Sequence, residues 1–439
     1  MTTTRMPVNR PTPPTAPRRP AAAVPAREEP AAEQHHAPAA VVAVRKIFAA
    51  ENANYFLLLG VTLFLVAFGL VMVLSSSSID SYKQNNGDSF SLFLKQGLFA
   101  LIGVPLMLVA SRMPADFWKR WAWGLLIVGI VFQFLVFTPL STGGVYGNNN
   151  WVKIGGVTAQ PSELVKLALI VWIGYILSRK EELLHDWKHV LLPIAPVALF
   201  AIALVLGGND LGTALIMLCI VLGCLFFAGI KLRYLFVAVL ALALIAWMAS
   251  ATGASRVSRI GLWLKGCPTD TSNDLCWQPV HGTWALASGG IFGVGLGNSK
   301  MKWSWLPAAE NDYIFAIIGE ELGLIGAIVV LLLLIVLAVS FVRIIRASDD
   351  AFARIVTSGV MIWIIGQALV NIAVVLGLLP VLGVPLPLIS AGGSALISTL
   401  LAIGVVLSLS RGRRRSADEP VAQTPAERSR LAAASRYAR

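Results

Sequence analysis

Charged side chains are scarce in this sequence of 439 residues. Asp, Glu, Lys and Arg make up 13% of the chain, about half of their share in a typical soluble domain. Hydrophobic residues make up 56%, and the mean hydropathy is +0.74. So little charge cannot cover the surface of two or three soluble domains. The composition therefore predicts an all-α polytopic membrane protein.

The net charge of +12 is concentrated at the two ends of the chain. Residues 1–46 contain seven basic and three acidic side chains, and residues 411–439 contain eight and three. Basic tails beside apolar spans are attracted to the anionic cytoplasmic leaflet, so this distribution argues against nucleic-acid binding. We expect a disordered Pro/Ala/Arg-rich tail at 1–47, a transmembrane domain at 48–410 and a basic tail at 411–439. No cleavable signal is recognised, so we expect the first apolar run to be an uncleaved anchor.

Apolar runs of about 20 residues are long enough to cross the hydrocarbon core of a membrane. Lys and Arg are concentrated in alternate short loops, which indicates that these loops and both termini are cytoplasmic. Among the exterior loops, at 76–92, 139–162, 252–311 and 379–395, only 252–311 is long, and such long loops are usually functional. We predict about ten spans, near residues 55–75, 93–111, 121–138, 163–178, 191–206, 211–228, 235–251, 312–341, 355–378 and 396–410.

Cysteine and histidine are also rare, with four and five residues. No zinc-site spacing and no Walker or Rossmann glycine pattern is present. His281 is the only histidine on the predicted exterior, which argues against a Ser-His-Asp hydrolase triad. Cys219 and Cys224 lie in an apolar run. Cys267 and Cys276 lie in the long exterior loop, where an oxidising environment favours a disulfide and two free thiols are the alternative.

Ionisable residues within or beside spans are candidates for function. Glu163 and Lys166 begin the fourth span three residues apart and share a helix face. They either neutralise each other or line a polar cavity that opens outward. Asp210, between two spans, either caps a turn or belongs to a site. Glu320 and Glu321 form a carboxylate pair that must pair, protonate or face water.

A glycine-rich segment, residues 289–297, lies with neighbouring cations before the eighth span. Glycines let backbone N–H groups approach a phosphate, and Ser299, Lys300 and Lys302 follow them. The exterior location argues against a nucleotide and favours a phosphate carried on a lipid. Asp312 lies at the start of the next helix. It is either a helix N-cap or a general base whose pKa is raised by desolvation.

Six ordered blocks resemble the SEDS family of peptidoglycan polymerases over residues 55–410, and its division branch more than its elongation branch. The most distinctive block runs from Gly295 to Ala316 and includes Asp312. The sequence departs from the family at Asn150, where an arginine is usual, and within 306–312, where the aspartate is kept but a preceding histidine and threonine are absent. The other blocks are 69–75, 150–166, 210–213, 319–323 and 367–394.

The resemblance implies glycosyl transfer at the outer face of the bacterial cytoplasmic membrane, at the division septum. Lipid II would be donor and acceptor, Asp312 would accept the proton of the acceptor 4-hydroxyl, and undecaprenyl pyrophosphate would leave. It implies a class B penicillin-binding protein (a transpeptidase) and other division proteins as partners, and no organic cofactor. A Mg²⁺ or Mn²⁺ ion bridging phosphate and carboxylate would suit the chemistry.

The family motifs and the exterior cations together nominate a set of substrate-binding residues. Arg256, Arg259 and Lys302 are candidates for the pyrophosphate. A lipid II flippase and a non-catalytic division scaffold remain alternative functions, although the charged positions cluster toward the outside and favour a polymerase. The full set of candidate substrate-binding residues is Lys302, Ser299, Arg256, Arg259, Trp151, Gln160, Glu163, Lys166, Asp210, Asn371 and Ser394.

Overall fold

The structure, a computed structural model, is built mainly from membrane-length helices. In the part of the chain that it describes, eight helices are long and apolar enough to cross a membrane, and Leu211–Phe227 is a shorter apolar helix. The predicted tail 1–47, and the tail 411–439 except Arg411, lie outside the described residues. The described residues are 53–142, 149–183, 186–237, 239–240, 254–267 and 274–411.

The helices follow the apolar runs and extend beyond them where charged residues continue a turn. Their bounds are α1 Ala53–Gln84, α2 Ser91–Ala110, α3 Ala115–Phe134, α4 Pro161–Arg179, α5 Trp187–Gly207, α6 Leu211–Phe227, α7 Ala254–Lys265, α8 Asp274–Gly289, α9 Ile314–Ala347, α10 Ala351–Met361, α11 Gln367–Val375 and α12 Gly393–Ser410.

The predicted spans agree with these helices wherever the chain is described. One of them, 235–251, lies largely outside the described residues, so the count of ten stays a prediction. Boundaries differ most at the end of α1, which continues to Gln84, nine residues beyond the predicted 75. Helix α3 begins six residues before the predicted 121. Its first turns carry Asp116, Lys119 and Arg120, which an apolar window leaves out although they remain helical at a membrane surface.

The most deeply buried helices are α4, α12 and the α10–α11 pair. Trp172 of α4 and Trp363 are almost fully buried. Trp363 lies in a π-helical turn, Ile362–Gly366, which joins α10 to α11. This apolar centre supports the polar groups at one end of α4 and α11.

The segments that connect the helices are more structured than the sequence indicates. Strands β1 (Val152–Ile154) and β2 (Val157–Ala159) pair antiparallel, with Val152 opposite Ala159. The predicted loop 252–311 contains α7 and α8, whose facing ends are joined by a disulfide between Cys267 and Cys276. Helices of this length are too short for a membrane span and escape an apolar-run search.

Residues 384–390 form a buried, non-helical segment between α11 and α12. The segment packs against the middle of α1, because a Cβ at Gly69 would lie 2.6 Å from the Leu388 carbonyl oxygen. Side-chain amides bind its backbone: Gln367 Nε2 donates to the Pro385 carbonyl at 2.9 Å, and Asn371 Nδ2 donates to the Val384 carbonyl at 2.7 Å. Irregular backbone is stable inside a membrane protein when such partners replace water.

Candidate active site

Asp312 lies two residues before α9 and is half-buried. The N-cap position of α9 is occupied by Tyr313, and no side chain caps this helix. The N-cap interpretation of Asp312 is therefore wrong. Asn371 Nδ2 donates to the Asp312 backbone oxygen at 2.8 Å, which fixes the residue beside α11. Among the described residues, no side chain is hydrogen-bonded to its carboxylate, which remains available to a ligand.

The surroundings of Asp312 make its carboxyl a weaker acid than usual. Burial raises the pKa of Asp312 to about 7, with smaller upward contributions from the charges of Glu310 and Asp210. The positive charge of Arg259 acts in the opposite direction. A carboxyl with a pKa near the working pH is suited to accept a proton in a reaction.

Residues 305–313, here called the Asp312 segment, are held in part by the residues that directly precede α12. Ser390 Oγ donates to the Asn311 carbonyl at 2.6 Å, and the Ala391 N–H donates to the Glu310 carbonyl at 2.9 Å. The Glu310 Oε2 atom is buried without a hydrogen-bond partner among the described residues. Burial is the main cause of a raised pKa for Glu310. Sequence reasoning did not nominate Glu310, although its position two residues before Asp312 is a signal.

Helix α8 covers the other side of this segment. Trp277 Nε1 donates to the Trp305 carbonyl at 2.7 Å, and Gln278 Nε2 donates to the Pro307 carbonyl at 3.0 Å. The Tyr313 ring lies against α8 at Gly282, where a Cβ would approach the ring to 2.6 Å. The Asp312 segment is therefore fixed from two directions.

Asp210 belongs to a cluster of three predicted site residues. Its Oδ1 atom accepts from the Thr213 N–H at 2.9 Å, which confirms the interpretation of Asp210 as a cap, here of α6. Its Oδ2 atom accepts from Gln160 Nε2 at 3.0 Å and from Asn150 Nδ2 at 2.9 Å. The Gln160 N–H donates to Ser394 Oγ at 3.0 Å. The structure thus brings Gln160, Asp210 and Ser394 together, and Asp210 also acts electrostatically on Asp312.

Glu163 and Lys166 form a buried ion pair in α4. Lys166 Nζ lies 2.8 Å from Glu163 Oε1. The Lys166 side chain is 1% exposed and the Glu163 side chain is 2% exposed. The ammonium also donates to Gln367 Oε1 at 3.0 Å and lies 4.6 Å from the centre of the Trp363 ring. This arrangement supports mutual neutralisation rather than an outward-opening cavity.

Ser299 and Lys302 belong to a separate network with the glutamates of α9. Ser299 Oγ donates to Glu320, while Glu321 accepts from Ser75 Oγ at 2.7 Å and lies 3.5 Å from Lys302 Nζ. Lys302 is 4% exposed. The network holds the glycine-rich segment on α9, and a pyrophosphate would have to compete with Glu321 for this lysine.

The predicted roles of Trp151 and Arg256 and the predicted metal stay predictions. Trp151 is half-buried, and its carbonyl accepts from the Thr142 N–H at 3.1 Å. The side chain of Arg256 lies outside the described part of the chain. No group of three or more His, Cys, Asp or Glu side chains is placed to hold a metal ion in the described ranges. We therefore name no protein ligand for Mg²⁺ or Mn²⁺.

Comparison with known proteins tests the resemblance independently. The probable peptidoglycan glycosyltransferase FtsW of Mycobacterium tuberculosis is 38% identical over 358 residues, which cover 82% of this chain and 68% of that protein. Stage V sporulation protein E of Bacillus subtilis is 36% identical over 364 residues, covering 82% and 97%.

Solved structures show the same fold. A peptidoglycan synthase complex, described for its coordination of polymerization and crosslinking, contains a chain with a TM-score of 0.65 and 25% identity, covering 81% of this chain and 97% of that chain. The rod shape determining protein RodA of Thermus thermophilus gives a TM-score of 0.59 and 26% identity, covering 82% and 97%.

The similarity is continuous and spans nearly all of the described helices. A family model described as a cell cycle protein, FtsW/RodA/SpoVE, matches residues 55–415. With the membrane-length helices, this match confirms a multi-pass membrane protein and the resemblance inferred from the motifs. The chain belongs to the FtsW/RodA/SpoVE family of cell cycle proteins.

Proposed function

We propose that this protein is a peptidoglycan glycosyltransferase of cell division that polymerises lipid II at the outer face of the cytoplasmic membrane. The observation that carries the proposal is the half-buried Asp312 carboxylate, which has no hydrogen-bonded side-chain partner in the described part of the chain and a pKa raised to about 7. The names of the family relatives as peptidoglycan glycosyltransferases support the same activity.

In the proposed reaction, the acceptor 4-hydroxyl of one lipid II attacks the anomeric carbon of a lipid-linked donor. A new C–O bond forms, the bond from that carbon to the pyrophosphate oxygen breaks, and the configuration inverts. The Asp312 carboxylate accepts the hydroxyl proton, and undecaprenyl pyrophosphate leaves with the electron pair. Arg259 supplies positive charge near Asp312 and is the candidate partner of the leaving pyrophosphate.

The other predicted ligands enter the proposal through the positions that the structure gives them. Gln160, Asp210 and Ser394 form one polar wall near Asp312, and Asn371 holds the Asp312 backbone. Mg²⁺ or Mn²⁺ remains part of the proposal as an ion bound mainly by substrate phosphate oxygens, which are the hard ligands that these ions prefer.

We further propose a class B penicillin-binding protein as partner and the division septum as location. The similar chain in a synthase complex that coordinates polymerization and crosslinking supports a partner that crosslinks the new glycan. The similarity to FtsW relatives supports a role in division.

The deciding experiment gives fluorescently labelled lipid II to the purified full-length protein together with its penicillin-binding partner. Gel electrophoresis then separates polymer from lipid II, and Asp312→Asn protein serves as the matched control. Polymer made by the wild type and lost in the variant supports the proposal. Movement of lipid II between leaflets without polymer would identify a flippase. The absence of both activities would identify a scaffold. Repeating the reaction with a chelator and then with added Mg²⁺ or Mn²⁺ tests the metal requirement.

A further inference from the structure

Helix α7 carries one cation that acts electrostatically on the site and one tryptophan that is hydrogen-bonded to a distant part of the chain. Arg259 and Trp263 are four residues apart and therefore lie on the same face of the helix. Arg259 is the cation that acts on both Asp312 and Tyr313. A rotation of α7 about its axis would change the distance between this guanidinium and the Asp312 carboxylate, and with it the electrostatic effect.

Trp263 attaches this face of α7 to a distant part of the chain. Its Nε1–H donates to the Gly377 carbonyl at 3.0 Å, across 114 residues of sequence. Gly377 lies two residues after the end of α11, and α11 carries Asn371, whose amide holds the Asp312 backbone. One short path thus joins the arginine-bearing helix to the helix that holds the proposed base.

The end of α7 has a second attachment. The disulfide between Cys267 and Cys276 joins it to α8, which is hydrogen-bonded to the Asp312 segment through Trp277 and Gln278. Among the described contacts, Trp263 attaches α7 on its side and Cys267 attaches the chain just beyond its C-terminal end. These two attachments restrict both the rotation of α7 and its distance from α8.

We propose that Trp263 is a positioning residue, whose hydrogen bond to Gly377 sets the rotation of α7 so that Arg259 faces the Asp312 carboxylate. This inference rests on the proposed function, in which Arg259 and Asp312 act on the substrate. The competing explanation is a membrane-surface anchor, since tryptophan is common at membrane–water interfaces and Trp263 is 41% exposed. An anchor uses the ring, whereas positioning uses the N–H, so Trp263→Phe separates the two roles.

The test measures protonation of Asp312 without any catalytic turnover. A hydrophobic carbodiimide modifies protonated carboxyl groups, and peptide mass mapping distinguishes Asp312 from its neighbours Glu310 and Asp210. Among the side chains that the structure describes, the charged and titratable groups that act on Asp312 are these two acids, Arg259 and Tyr313. Arg259→Gln removes this positive charge and should raise the pH midpoint of Asp312 labelling by about 1 unit. That is the lower end of the pKa shift that one nearby opposite charge causes.

Trp263→Phe should raise the labelling midpoint in the same direction, by no more than Arg259→Gln does. It should add nothing when Arg259→Gln is already present, because it acts through that arginine. Trp284→Phe, a similarly exposed tryptophan on α8, is the matched control and should leave the midpoint unchanged. An unchanged midpoint in Trp263→Phe, or an equal further rise in the double variant, overturns the proposal.

A second variant tests the same idea from the other attachment. Cys267→Ser with Cys276→Ser releases the end of α7, and we expect a smaller rise of the Asp312 midpoint, with no further change on adding reductant. A midpoint equal to that of the wild type contradicts the role of the disulfide in positioning. If the variants show the labelling shifts but the wild-type protein makes no polymer, the proposed function alone is contradicted. If the wild-type protein makes polymer but the variants show no shifts, this inference alone is contradicted.

Discussion

The buried pair of Glu163 and Lys166 permits a prediction of stability from geometry. At the observed N–O distance of 2.8 Å, the attraction is about 6 kcal/mol for an effective dielectric constant of about 20. Burial of each ion costs several kcal/mol, so the intact pair contributes little net stability. Removing one partner leaves the other charge buried without compensation and should destabilise the fold by about 3–5 kcal/mol.

The two single variants should differ because the partners of the two side chains differ. In Glu163→Gln, Lys166 keeps the Gln367 oxygen and the face of the Trp363 ring. In Lys166→Met, the Glu163 carboxylate loses its cation, and its Oε2 atom already has no hydrogen-bond partner in the described structure. We therefore expect Lys166→Met to be the less stable of the two, and the double variant to be more stable than both.

The assay is thermal unfolding of the detergent-purified full-length proteins, followed by tryptophan fluorescence and checked by size-exclusion chromatography. From highest to lowest, the expected order of unfolding midpoints is wild type, the double variant, Glu163→Gln and Lys166→Met. Lipid II polymerisation by each folded protein shows whether the pair matters only for stability. A double variant no more stable than the worse single variant would refute the pairing argument.

Three further predictions concern other parts of the protein. Polymerisation should increase with pH and reach half of its maximum near pH 7, because burial raises the pKa of Asp312 to about 7 and only the ionised carboxylate accepts a proton. Asp312→Asn should lose about 10²–10⁴-fold in rate with an unchanged unfolding midpoint. Cys267 and Cys276 should resist a maleimide label, read by mass spectrometry, until reductant is added, and prompt labelling would exclude the bridge in the purified protein. Gly293→Ala should lower the unfolding midpoint by an amount equivalent to about 1–3 kcal/mol, since its Cβ would lie 2.2 Å from a backbone oxygen. Gly297→Ala, with a similar positive φ but no atom within 4 Å, is the control, and equal losses in both would contradict the steric argument.

Short-range relations were predictable from the sequence. The three-residue spacing of Glu163 and Lys166 predicts their contact, because helical neighbours at that spacing share a face. Asp210 at the start of an apolar run predicts a helix cap, and the structure shows that cap on α6. Apolar runs locate the described membrane helices because the hydrocarbon core requires about 20 apolar residues in succession.

Relations between distant segments were not predictable from one sequence. Lys302 contacts Glu321 through a turn whose path depends on several glycines, so spacing does not reveal the pair. The segment 384–390 is apolar enough for a loop at the membrane surface or for a buried one, and only the contact with Gly69 decides between them. The electrostatic action of Arg259 on Asp312 depends on the fold of α7 and α8, which apolar-run searches do not detect.

The buried segment 384–390 has a consequence for how the chain assembles during synthesis. Its carbonyl groups bind the side-chain amides of Gln367 and Asn371, and Gln96 on α2 donates to the Ser390 carbonyl at 3.3 Å. In lipid, carbonyls without such partners would be strongly unfavourable. Insertion of the segment must therefore wait until α1, α2 and α11 are already side by side. Docking of this segment, followed by α12, is then the closing step of biogenesis, and it completes the support of Asp312 only in a fully assembled protein.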